Sequence, residues 1–144
     1  MSEKKQNRTT RTMQREQALC LLYAYTFNKD DPELDAFYEN ALTLNGYEDS
    51  AYLRTVFYGV VNNADKLDAI IAKYAIGWKL ERIARISLTL MRICLFEAEN
   101  LEDVPASVAI NEAVELAKKY DTDEAPAFIN GILNNAVKGE SRGK

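Results

Sequence analysis

The stretch from Asp103 to Leu133, DVPASVAINEAVELAKKYDTDEAPAFINGIL, sets apolar residues at helical spacing twice over, with one short polar interruption. Val108, Ile110, Ala113, Val114 and Ala117 recur every few positions, while Glu112, Glu115, Lys118 and Lys119 fall largely on the other side. A stripe of that kind turns one side of a helix to a core and the other to water. Pro105 suits a first turn, where the amide it lacks is not needed. Glu115 and Lys119 are four apart, in the order that favours an exposed pair. Asp121, Thr122 and Asp123 interrupt the pattern and offer caps for a second helix. There Phe128, Ile129, Ile132, Leu133 and Ala136 rebuild the stripe. Glycine inside a helix costs about 1 kcal/mol against alanine, so Asn130-Gly131 predicts a close contact.

The same period runs upstream. A helix is expected from Arg8 or Thr9 to about Asn28, and its second half, ALCLLYAYTF, is apolar almost all round, which marks burial on most sides. Pro32 opens the next helix and Asn45-Gly46 stops it. Glu48, Asp49 and Ser50 mark the start of a long helix reaching Tyr74, in which Gly59 admits a close crossing. Ile76-Gly77-Trp78 breaks the chain, a short helix covers Lys79 to Arg85, and Ser87 is placed as the N-cap of another. With only 3 prolines and 6 glycines, and no alternating apolar run, the chain reads as all-α, with about seven helices. Residues 1–7 form a flexible basic arm, 8–138 one domain and 139–144 a polar tail.

Charge is unevenly spread. The formal net charge is -4, yet residues 1–15 hold five cations against one glutamate, a local balance of +4 that leaves −8 for the rest. If the first helix extends back far enough, Lys4, Arg8, Arg11 and Arg15 stand at spacings of 4, 3 and 4 on one face. That face continues into Ala18, Leu19 and Leu22, so its charges must be compensated. Either the helix end overhangs the body, or the stripe borders a groove that an anion fills; the alternative is a solvated, frayed end.

Several function classes find no support. The chain has no histidine, the usual general base, and no phosphate-cradling glycine loop or nucleophile elbow. Acid pairs such as Asp30-Asp31 and Glu102-Asp103 sit at helix ends, where capping explains them. Cys20 and Cys94 lie in apolar patterns and read as buried free thiols. Without a C-x-x-C spacing a zinc site has no support, and neither a metal nor a cofactor is expected. No apolar run is long enough to span a membrane and no signal peptide is visible, so a cytoplasmic protein is expected.

The strings VAINEAVELAKKY and FINGIL, in this order and at this separation, resemble the C-terminal signature of the NusB family of bacterial transcription antitermination factors. RTMQREQALCLLYAY resembles the family's arginine-bearing first helix. GVVNNADKLDAIIAKY is similar to its middle helix, and WKLERIARISLTLMRICLFE to the next two, so the resemblance covers nearly the whole chain. It implies two small helical subdomains and a non-enzymatic factor. Such factors bind boxA RNA of ribosomal leader transcripts with the small-subunit ribosomal protein NusE, and join RNA polymerase in an antitermination complex. Carried over by position, it implies an RNA face that includes Arg11 and Arg15, with Tyr74, Phe128 and Glu124 nearby, and a partner surface that includes Tyr23. Ser87 stands where the family usually has an acid on that partner surface, and Thr12 and Met13 thin the family's arginine run.

The residue chemistry runs alongside. Unstacked bases are read by aromatic stacking and by hydrogen bonds at their edges. Tyr74 and Phe128 are therefore candidate platforms, with core packing as the alternative, and Asn130 or Glu124 are candidate edge readers. Glu112, Glu115 and Glu124 suit a basic ribosomal protein by charge complementarity, with solvated helix faces as the alternative. A helical interaction scaffold without RNA contact, and a homodimer, stay open at this point.

Overall fold

The computed structural model of the chain describes residues 10–28 and 33–140. Lys4, Arg8 and Pro32 lie outside the described residues, as do the arm over 1–7 and positions 141–144. Among the described residues there are seven α-helices and no strand. They are α1 (Arg11–Tyr25), α2 (Leu34–Asn45), α3 (Ala51–Asn62), α4 (Ala64–Tyr74), α5 (Arg85–Asn100), α6 (Ala106–Tyr120) and α7 (Ala125–Glu140), with a 3-10 turn at Leu80–Arg82 before α5.

Local chemistry sets the ends. The Thr10 side chain accepts from the Met13 amide at the start of α1, and Ser50 does the same for Leu53 at the start of α3. Gly46 closes α2 with φ 68°, a left-handed cap that costs glycine little. The expected long third helix is two. Asn63 leaves helical geometry at φ -116°, ψ 19°, and its side-chain amide donates to the Gly59 carbonyl at 2.7 Å. Its own carbonyl then accepts from Leu67 as α4 begins. The expected helix over Lys79 to Arg85 is only the 3-10 turn. Ser87 is no cap: α5 starts two residues earlier. Helix α7 runs on through Gly139 and Glu140, which the sequence assigned to the tail.

Helix α5 is the centre. It is apolar nearly all round, burying Leu90, Met91, Ile93, Cys94, Leu95 and Phe96, which only a helix covered on most sides can do. One layer, α1 with α3 and α2, packs on it from one side; α4, α6 and α7 pack from the other. Gly59 admits a close crossing of α3 and α5, since a Cβ there would stand 2.1 Å from the Phe96 ring. The expected contact at Gly131 is absent: a Cβ there would meet nothing within 4 Å.

Candidate nucleic-acid interface

The cationic stripe divides at its third and fourth members. Arg11, in the first turn of α1, is exposed, and its guanidinium carbon lies 4.4 Å from the centre of the Tyr52 ring on α3. Arg15, one turn later, points inward and is 4% exposed. Its Nε donates to both Glu97 oxygens at 3.1 and 2.9 Å, and its NH2 donates to Oε1 at 2.8 Å. Its NH1 lies 3.5 Å from Glu112 on α6. Tyr52 donates its hydroxyl to the second Glu97 oxygen at 2.5 Å. Burial alone would lower the Arg15 pKa, but the Glu97 carboxylate outweighs it and holds the guanidinium above its ordinary value. Arg15 therefore ties α1, α3, α5 and α6 together and does not face an open groove. This corrects its expected place on the anion-facing edge.

Tyr74 and Phe128 do come together. The half-buried Phe128 meets Trp78 edge-on, with ring centroids 5.2 Å apart. Tyr74, Ile76, Trp78, Phe128, Gly131 and Asn135 line a shallow open cleft between α4 and α7. Trp78 and Ile76 are its exposed walls, at 53% and 86%. The Tyr74 hydroxyl donates to Glu140 at 2.9 Å, so one edge of that ring is already engaged. Asn130 is exposed on α7, where its side-chain oxygen accepts from Asn134 at 3.0 Å. Trp78 was not nominated from the sequence as a site residue; a large aromatic beside the Ile76-Gly77 break was the available signal. Arg11 stands elsewhere on the surface, on the edge built by α1 and α3.

The expected partner residues also separate. Tyr23 is half-buried, with Phe27 edge-on at 5.2 Å, and Arg85 reaches across to cover the Phe27 ring at 4.4 Å. Glu124 is exposed in the turn before α7. Glu115 is exposed but pairs with Lys118 at 3.0 Å, not with Lys119 as its spacing suggested. Lys119 reaches Glu16 on α1 at 2.7 Å, where the Tyr120 hydroxyl also donates. Glu112 is turned toward Arg15. Ser87 is corrected: it is 3% exposed, and its hydroxyl donates to Asp121 across the α5–α6 contact. It is an internal tie in place of a surface acid. Of the thiols, Cys94 is buried and Cys20 only half-buried.

No helix among the described residues is long and apolar enough to cross a membrane. The fold has close counterparts. NusB of T. maritima superposes with a TM-score of 0.83 at 28% identity, covering 94% of this chain and 95% of that one. NusB in a crystal structure of NusB and NusE with double-stranded RNA gives 0.77 at 20% identity over 90% and 96%, a likeness of fold. In sequence, the transcription antitermination protein NusB of Clostridium novyi (strain NT) is 40% identical over 130 residues, 89% of this chain and 98% of that protein. Residues 12–138 match the NusB family, and with that match and those relatives the chain belongs to it.

Proposed function

We propose that the chain is a transcription antitermination factor that binds boxA-type RNA of ribosomal leader transcripts together with NusE, and does no chemistry of its own. Membership of the NusB family carries this reading. A NusB of the same fold has been crystallised with NusE and double-stranded RNA. The surface suits the task. Arg11 offers an exposed guanidinium, and the Trp78–Phe128–Tyr74 cleft offers aromatic faces to an unstacked base. Asn130, exposed on the same helix as Phe128 but outside the lining of that cleft, is the residue assigned to a base edge. Lys4 and Arg8, which lie outside the described residues, are further candidates for phosphate contacts. Tyr23, Glu115 and Glu124 are left as the partner-facing set, while Arg15, Ser87 and Glu112 serve the interior. The protein acts in the cytoplasm, where its transcripts are made.

The test is a fluorescence-polarisation titration of a boxA-like RNA, with and without NusE, across salt. Binding should be tighter with NusE, and log affinity should fall with log salt by about 0.7 per phosphate contact. Absence of RNA binding in both arms would sink the reading and leave a protein-only scaffold.

A further inference from the structure

The ring that carries Arg11 is not a free surface aromatic. Tyr52 is itself 7% exposed, and its hydroxyl is fixed to Glu97, which in turn grips Arg15 with both oxygens. Arg11 lies over this ring, and none of the ion pairs among the described residues engages it. An exposed arginine at a helix start ordinarily samples many rotamers, and a phosphate contact must freeze them. A ring held from below removes part of that freedom beforehand. We propose that Tyr52 is a positioning residue for RNA: its fixed ring is a shelf that holds the Arg11 guanidinium at the surface with its N–H groups turned to a phosphate. The internal position of Arg15 then has a role in binding at one remove, because Arg15 and Glu97 fix the shelf. This inference rests on the RNA-binding reading given above.

The experiment measures boxA-like RNA binding by the full chain with NusE, at several salt concentrations, for wild type, Arg11→Ala, Tyr52→Leu, Tyr52→Phe and the double variant Arg11→Ala/Tyr52→Leu. Arg11→Ala should weaken binding about fivefold and make the salt slope shallower by about 0.7, the loss of one phosphate contact. Tyr52→Leu should reproduce both changes, and the double variant should lose no more than Arg11→Ala alone, as residues acting as one unit do. Tyr52→Phe keeps the ring but frees it from Glu97, so its binding should fall between wild type and Tyr52→Leu with an unchanged salt slope, and it melts lower for want of that bond. Tyr52→Leu binding as wild type, or a double loss equal to the sum of the singles, overturns the shelf alone. Wild type that binds no RNA overturns the functional reading and the shelf with it. If Tyr52→Leu does not fold, Arg11→Lys on the intact core decides. It keeps the charge but lacks the planar group that lies over the ring, so binding should weaken about threefold with an unchanged salt slope. Lysine equal to arginine there overturns the proposal.

Discussion

Arg11 and Arg15 stand four apart, and that spacing alone puts them on one helix edge. The structure gives them opposite fates because Glu97, 82 residues away from Arg15, supplies a buried carboxylate beneath one of them. Helical spacing was legible in the sequence; a pairing across that distance was not, since Glu97 lies in an apolar run like any other solvated helix acid. Removing one partner of a buried pair strands the other charge, which costs about 3–5 kcal/mol. Arg15→Ala should therefore lower the urea-derived stability by about that amount, whereas Arg11→Ala, exposed, should change it by less than about 0.5 kcal/mol. The two variants compared by urea denaturation and RNA titration make the distinction sharp. Arg11→Ala should lose affinity without stability, and Arg15→Ala should lose stability first. Equal melting of the two would mean that the inward position is not populated in solution.

Among the elements, the period of the apolar residues located every helical stretch but ran α3 and α4 together as one. The break at Asn63 was hidden because Val60 before it and Leu67 after it both meet the core, so the stripe runs through the interruption unbroken. At the break Asn63 leaves helical geometry, and its side-chain amide shares the Gly59 carbonyl with its own backbone N–H. The two glycines inside long helices show how differently one residue type can be used. Gly59 lies so close to the Phe96 ring that a methyl group cannot enter unless that ring or one of the two helices shifts. Overpacking of that kind costs about 1–3 kcal/mol, more than the helix propensity of about 1 kcal/mol that alanine returns. Gly59→Ala should therefore destabilise. Gly131 is exposed and would meet nothing, so Gly131→Ala should gain about 0.5–1 kcal/mol in the same denaturation series. A gain at 59 or a loss at 131 would contradict the packing described. The aromatic cleft was half legible. Tyr74 and Phe128 could be nominated, but Trp78 joins them only because the turn after α4 folds back beside α7.

For the molecule as a whole, the layer built by α2 and α3 is tied by tyrosines that donate to carboxylates. Tyr38 donates to Asp49 at 2.7 Å, Tyr58 to Asp35 at 2.6 Å, and Tyr52 to Glu97. Burial, then the acceptor beside it, pushes Tyr58 up to about 12. Burial, then the Cys20 thiol, does the same for Tyr47, again to about 12. Tyr38 and Tyr52 are raised further, chiefly by burial. A phenol is neutral while it keeps its proton, and the folded state holds that proton more tightly than the unfolded chain, where release occurs near pH 10. The unfolded state thus gains free energy by losing protons that the fold retains. The stabilisation is complete below about pH 10 and is lost as pH rises toward 12 and beyond. The urea midpoint should accordingly fall over that interval. Absorbance near 295 nm should show a fraction of the tyrosines ionising only as the helical signal is lost. Exposed ion pairs such as Lys66–Glu99 contribute little to stability. Tyr58→Phe isolates the tyrosine part, because it removes one late-ionising group and its bond to Asp35 together. It should melt lower than wild type near neutrality and decline less steeply above pH 10. A parallel decline in the two proteins would assign the alkaline loss to something other than these phenols.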